Sequence, residues 1–318
     1  MPELILIYEP DSAAHARSYQ EAIAQALPGM EIVAASDRSS ALAQAARATV
    51  LVAKAQDVSA ELVAAMPKLR WIQALTTGTD PLLALALPAA VIVTSVRGIH
   101  GPQMAELTIL LMLALSRDFP RMLANQRERR WQRWGQRLLA GKTVVIVGVG
   151  AISEALAARC KALGQRVIGV TSRDSVEHFD ELMPRPRLHE AVAQADFLVL
   201  LVPYSPDTHH LIDAAALAAM KPAAYLINVA RGGVVDEAAL IEALQTRRIA
   251  GAGLDVFAQE PLPPASPLWS LDNVIITPHV GGMSDIYAGQ VLPVLVHNVR
   301  AYAAGEHAAL LNRVTLEK

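Results

Sequence analysis

The sequence predicts an α/β protein of two domains, with doubly wound parallel sheets. Three observations carry that reading. Short apolar runs alternate with segments of helical spacing along most of the chain. Residues 144–147 read VVIV, an unbroken β-branched run typical of a strand buried on both faces of a parallel sheet. At 318 residues the chain is also too long for one small core.

The segment 141–173 organises the rest. The run 144–147 leads directly into Gly148, Val149, Gly150, Ala151, Ile152 and Ser153. Apolar residues then recur at helical spacing (Ile152, Leu156, Ala157, Cys160, Leu163), and Gly164 closes the helix as a C′ glycine. A second strand is expected over 167–170. Strand, glycine turn, helix and strand make one βαβ unit with a dinucleotide fingerprint in its first turn. Gly148 permits the tight turn, and Gly150 lets a pyrophosphate approach the backbone. The helix N-terminus supplies N–H groups and partial positive charge. Ser153 replaces the usual third glycine and is small enough for close helix–strand packing.

Beyond the second strand stand Thr171, Ser172 and Arg173. A site for NAD places an acid there to hold the ribose 2′-hydroxyl. Here hydroxyls and an arginine face a 2′-phosphate, so NADP is expected ahead of NAD. Asp174 is the alternative ribose ligand if the strand ends later.

The first hundred residues alternate in the same way. Strands are expected over 4–8, 31–35, 49–52, 71–75 and 91–94, with helices over 12–26, 39–46 and 59–65. The pattern breaks at 97–102, RGIHGP, which reads as a crossover or hinge. An apolar helix follows over 103–115. Residues 117–137 are rich in arginine and contain Trp131 and Trp134, read as an arm that packs on a second subunit. In the second half, strands are expected over 197–202, 225–229, 253–256 and 273–277, giving a sheet of six or seven strands. A closing helix over 285–304 is expected to return to the first domain.

Composition narrows the functional classes. The formal net charge is −2, so there is no bulk electrostatic case for nucleic acid or an anionic membrane. The single cysteine, Cys160, excludes an intrachain disulfide framework and reads as a buried structural thiol. No Cys/His metal spacing appears. Pro2 and Glu3 precede only a short apolar run, so no signal peptide is read and a cytoplasmic location is expected.

Ligands of open α/β sheets bind beyond the carboxyl ends of the strands. Arg231, Glu260 and His279 fall at or just after such ends. Each alone has an ordinary reading as a surface or loop side chain. Their convergence on one sheet edge points to chemistry.

At this point the chain resembles the D-isomer-specific 2-hydroxyacid dehydrogenase family. The matching stretches are GKTVVIVGVGAIS, LLVPYSPDTHHLI, INVARGGVVDEAAL, GAGLDVFAQEPLP and NVIITPHVGG. The resemblance covers nearly the whole chain and is strongest from Gly141 to Gly282. It implies a Rossmann cofactor domain (101–285) inserted in a smaller flavodoxin-like substrate domain (1–100 plus 286–318). His279 becomes the proton donor and acceptor, Glu260 its partner carboxylate, and Arg231 the group that binds a 2-oxo acid. Thr77 and Gly78 resemble the backbone loop for the substrate carboxylate. Cofactor contacts are implied at Gly148, Gly150, Ala151, Ile152, Thr171, Ser172, Arg173, Val202, Pro203, Thr208, Val229, Ala230, Asp255, His279 and Gly281. Asp255 is expected to receive the nicotinamide carboxamide.

Thr171-Ser172-Arg173 is similar to the NADP-using glyoxylate/hydroxypyruvate reductase branch. Ser153, Thr171 and the segment 97–102 depart from the commoner family pattern, and His100 is a possible substrate contact or a hinge residue. The implied activity is NAD(P)H-dependent reduction of a small 2-oxo acid to the D-2-hydroxy acid, in a homodimer. The alternatives are a bulkier substrate such as phenylpyruvate, or a nucleotide-sensing protein like the corepressors of this fold.

Overall fold

The computed structural model describes residues 4–315. Pro2 and Glu3, used in the signal-peptide argument, lie outside the described residues, as do positions 316–318. The chain divides into two compact units, one made of residues up to 99 together with those from 284 onward, the other of residues 100–283.

The first unit runs β1 (Ile5–Tyr8), α1 (Ala13–Ala26), β2 (Ile32–Ala35), α2 (Arg38–Ala45), β3 (Val50–Ala53), α3 (Ala60–Ala64), β4 (Trp71–Ala74), α4 (Asp80–Leu83) and β5 (Ile92–Thr94). Its five strands pair in parallel in the order β2-β1-β3-β4-β5, the flavodoxin-like order. Side chains alternate between two cores. Leu4, Leu6 and Tyr8 enter one, while Ile5 and Ile7 enter the other with Tyr19 and Trp71. Buried Trp71 donates its indole N–H to Thr94 Oγ1 at 2.9 Å, so its polar edge is satisfied inside the core.

The second unit opens with α5 (Gly101–Ser116) and α6 (Phe119–Arg127). It continues with β6 (Thr143–Val147), α7 (Ala151–Ala162), β7 (Arg166–Val170), β8 (Glu181–Met183), α8 (Leu188–Val192), β9 (Phe197–Leu200), α9 (Ala214–Ala219), β10 (Tyr225–Asn228), α10 (Glu237–Gln245), β11 (Gly251–Leu254) and β12 (Val274–Ile276). α11 (Tyr287–Ala303) then belongs to the first unit, where it packs on α1.

Seven parallel strands lie in the order β12-β11-β10-β9-β6-β7-β8. This is the Rossmann order with one strand added, and the winding reverses between β6 and β9. The β6 run is buried on both faces, as its sequence predicts. Val144 and Ile146 pack towards α5 and α7 residues, and Val145 and Val147 towards the other core.

α7 ends in a Schellman motif. Gln165 N–H donates to Cys160 O at 3.0 Å and Gly164 N–H to Lys161 O at 2.9 Å, with Gly164 at φ +74°. Cys160 sits fully buried on the inner face of this helix, and burial pushes its thiol up to about 12.

Three expectations shift. β8 has no counterpart among the strands expected from sequence. It has three residues, ELM, at a sheet edge and lacks a β-branched run. β11 begins two residues earlier than expected, because Gly251 and Gly253 carry no strand propensity. A Cβ on Gly251 would stand 2.3 Å from Asn273 O, so the glycine admits the neighbouring backbone. Asp255 therefore lies just beyond the strand rather than inside it. Within the arginine-rich segment, α6 is a regular helix, and Trp131 beyond it is 88 % exposed. Among the described residues, no helix is long and apolar enough to cross a membrane.

Candidate active site

The fingerprint turn follows β6, at the reversal point of the sheet. Gly148 adopts φ +93°, and a Cβ there would stand 2.6 Å from the Val202 backbone. Only glycine fits, because the loop after β9 lies directly against it. Gly150 has open space where a Cβ would project, leaving its backbone approachable. Ser153 is 1 % exposed and fits the tight helix–strand contact. Its hydroxyl also accepts from Gly150 N–H at 2.6 Å and donates to Gly150 O at 2.8 Å, fixing the turn. Ala151 and Ile152 open the twelve-residue helix α7, whose first-turn N–H groups form an anion-binding end. These features fit the pyrophosphate of a dinucleotide.

β7 ends at Val170, so Thr171, Ser172 and Arg173 follow it directly. Arg173 N–H donates to Thr171 Oγ1 at 3.2 Å. Its guanidinium reaches Glu154 of α7, with Nη1 2.5 Å from Oε1. Asp174 lies further along the same turn and is exposed.

The loop after β9 carries Val202, Pro203 and Thr208. Thr208 is 5 % exposed, and its hydroxyl is engaged by its own loop. It accepts from Ser205 N–H at 2.7 Å and donates to Pro203 O at 2.8 Å. The hydroxyl thus braces its own loop.

Arg231, Glu260 and His279 share one edge of this unit. After β10, Val229 and Ala230 are buried and lead to Arg231. Asn228, 1 % exposed, braces that turn. Its Nδ2 donates to Arg231 O at 3.0 Å, and its Oδ1 accepts from Ala230 N–H at 3.1 Å. Arg231 Nη1 donates to Ala230 O at 2.7 Å. Gly232 then passes so close to the loop after β11 that a Cβ would lie 1.9 Å from the Phe257 carbonyl carbon. This approach brings Arg231 to the turn that holds Glu260.

Glu260 Oε1 accepts from Phe257 N–H at 3.0 Å, and Oε2 accepts from His279 Nδ1 at 2.6 Å. Burial would push the Glu260 carboxyl up. The His279 hydrogen bond, the Phe257 N–H and the charges of His279 and Arg231 outweigh it and hold the carboxyl below its usual range. The Glu260 hydrogen bond raises the His279 imidazole, against burial and the nearby Arg231 charge. Nδ1 faces the carboxylate, which leaves Nε2 as the nitrogen that can exchange a proton with a ligand. The His279 side chain is 45 % exposed, so a ligand can reach it.

Asp255 lies just beyond β11. It is 1 % exposed, and its carboxylate holds the loop that carries His279. Oδ1 accepts from Thr277 Oγ1 at 2.5 Å and Val280 N–H at 3.0 Å, and Oδ2 from Gly281 N–H at 2.9 Å. His279 itself adopts φ +52° and donates its N–H to Asp255 O at 2.9 Å. The carboxylate therefore holds the segment on both sides of the imidazole, through the Thr277 hydroxyl and the Val280 and Gly281 N–H groups.

His100 is 7 % exposed and lies beside Gly282, and burial pushes its imidazole down to about 4. It is neutral near pH 7. Thr77 and Gly78 belong to the first unit, beyond β4, where Thr76 Oγ1 donates to Gly78 O at 2.8 Å.

Residues 109–281 match the family model described as the D-isomer specific 2-hydroxyacid dehydrogenase, NAD binding domain. The chain belongs to the D-isomer-specific 2-hydroxyacid dehydrogenase family. Among curated members it is 37 % identical over 277 residues to D-3-phosphoglycerate dehydrogenase of Mycobacterium bovis, covering 85 % of this chain and 52 % of that protein. It thus spans about half the length of that relative. It is 34 % identical over 263 residues to glyoxylate reductase of Korarchaeum cryptofilum, covering 78 % of this chain and 77 % of that protein. Among solved family members, the D-isomer specific 2-hydroxyacid dehydrogenase of Xanthobacter autotrophicus, in complex with NADPH and MES, superposes with a TM-score of 0.83 at 30 % identity, covering 99 % of both chains.

Sequence reasoning missed Asn228, Gly232, Thr277 and Glu154. The first three sit inside the stretches that carry the family resemblance, and of these only Asn228 is a buried polar residue at a strand end. Glu154 offered none, because its partner lies 19 residues away.

Proposed function

We propose that this chain reduces small 2-oxo acids to D-2-hydroxy acids with NAD(P)H, favouring NADPH, with glyoxylate or hydroxypyruvate as the first candidate substrates. The observation that carries the reading is the 2.6 Å pair of His279 Nδ1 and Glu260 Oε2 on the sheet edge that also presents Arg231. When bound, the reduced nicotinamide supplies the hydride to the carbonyl carbon. His279 delivers a proton from Nε2 to the carbonyl oxygen as negative charge develops there. Glu260 orients the imidazole and keeps it protonated near neutral pH. Arg231 holds the substrate carboxylate or carbonyl with a planar fork of donors. Thr77 and Gly78 are proposed, from the family resemblance, to add backbone N–H groups for the carboxylate.

The NADPH preference draws on Thr171, Ser172 and Arg173, and on the NADPH complex of the Xanthobacter protein. The glyoxylate reductase of Korarchaeum supports the choice of first substrates. A homodimer is supported by apolar side chains left on α5, α6 and the segment beyond. Leu110 is 57 %, Phe119 47 % and Trp131 88 % exposed.

The test is a matrix of glyoxylate, hydroxypyruvate, pyruvate and phenylpyruvate, each with NADPH and with NADH, following loss of the reduced cofactor's absorbance. Turnover that favours NADPH with the small acids is expected. Phenylpyruvate as the best substrate would overturn the small-acid reading. Cofactor binding without turnover would favour a nucleotide sensor.

The carboxylate–imidazole pair also sets a pH response. Reduction needs the protonated imidazole, so its rate falls as pH rises through the His279 pKa. Glu260 raises that pKa, and Glu260→Gln removes the charge. The alkaline limb of kcat/KM for reduction is therefore expected to move to lower pH. An unmoved limb would assign the titration to another group.

A further inference from the structure

We propose that Glu154 limits how strongly this chain discriminates NADPH from NADH, by competing with the 2′-phosphate for Arg173. The proposal rests on reading the end of β7 as the ribose subsite. Glu154 stands in the first turn of α7, and Arg173 stands three residues beyond β7. Their 2.5 Å contact ties the fingerprint helix to the turn after the second strand, where a dinucleotide's ribose is expected to bind.

The pair is accessible. The side chains are 48 % and 43 % exposed, so water screens their attraction. A 2′-phosphate carries more charge than a carboxylate and offers three acceptor oxygens, so it can draw the guanidinium away. The carboxylate stays behind. Its backbone is fixed in α7, and the helix N-terminus favours negative charge there. A 2′-phosphate therefore meets two opposing effects, an arginine already engaged and an anion close by. The 2′-hydroxyl of NADH meets neither. It leaves the ion pair intact and can donate to the carboxylate. Glu154 thus narrows the preference that Thr171, Ser172 and Arg173 would otherwise produce.

Two probes isolate the 2′-phosphate. Adenosine 2′,5′-bisphosphate and adenosine 5′-monophosphate differ only in that group and do not involve the nicotinamide. Their dissociation constants are measured by calorimetry on the full chain and on Glu154→Gln, Arg173→Ala and the double variant. Glu154→Gln is expected to improve the bisphosphate relative to the monophosphate by about fivefold, equivalent to about 1 kcal/mol. The gain should shrink in the Arg173→Ala background, where there is no guanidinium to release. It should also shrink as salt is raised.

A ratio unchanged within about twofold in Glu154→Gln, with Arg173→Ala still selective against the bisphosphate, overturns the role of Glu154 and leaves the ribose reading standing. Equal weakening of both probes by Glu154→Gln also overturns it, since a brace between helix and loop would act on both alike. Equal effects of Arg173→Ala on the two probes would remove the ribose reading itself, and the inference with it.

Discussion

Replacing His279 by alanine is expected to lower kcat for reduction by about 10²–10⁴-fold, the usual contribution of a general acid. Cofactor affinity should stay near that of the parent chain, because the phosphate-binding turn is built from β6 and α7. Steady-state kinetics and a fluorescence titration with NADPH check the two halves of this expectation. The backbone at this position complicates alanine, since φ +52° disfavours residues other than glycine and a few polar ones. His279→Asn is the companion variant, because asparagine tolerates that conformation while lacking a group that titrates near neutral pH. Both variants should lose rate similarly. A loss under about tenfold in His279→Asn would mean that another group supplies the proton.

The second large effect is expected at Gly232. A Cβ there would meet the Phe257 carbonyl carbon at 1.9 Å and its oxygen at 2.0 Å. Both are backbone atoms and cannot swing aside. Gly232→Ala must push the loop after β10 away from the loop after β11, and so separate Arg231 from Glu260. A displacement of about 1 Å at such a site can cost about 10²-fold in rate. Overpacking of this kind also destabilises by about 1–3 kcal/mol. The neighbouring Gly233 provides the control. A Cβ there would meet the Tyr204 ring at 2.7 Å, but Tyr204 is 41 % exposed and can turn outward. Gly233→Ala should retain most of the activity and Tm, and Gly232→Ala should retain neither. Equal behaviour of the two would show that the loop contact does not position Arg231.

Much of the fold was legible because its signals are local. The β-branched run of β6, the glycine turn and the C′ glycine of α7 each act within a few residues. β8 and the start of β11 were not legible in the same way. One is a three-residue edge strand of mixed polarity, and the other begins in glycines that only the Asn273 backbone explains.

The site divides similarly. Arg231, Glu260 and His279 are legible because three ionisable residues converge on the strand ends of one sheet edge. Asp255 and Thr208 are different. Thr208 is bonded within its own loop, and Asp255 to the loop that carries His279, with partners up to 26 residues distant. Such pairings follow from folded geometry, which neither residue type nor spacing encodes. Glu154 belongs to the same class, since a charge on a helix surface has many potential partners until the fold selects one.

Cys160 has a use that lies outside catalysis. It is the chain's single thiol, fully buried on the helix that begins at the phosphate-binding turn. Alkylating reagents attack the thiolate, which burial suppresses here by pushing the thiol to about 12. Labelling therefore waits for α7 to open, and its rate measures the opening free energy of that region. Without any engineered probe, the protein carries a chemical clock for the local unfolding of its nucleotide-binding half. Ligand-induced protection can be read from that clock when substrate and turnover are both absent.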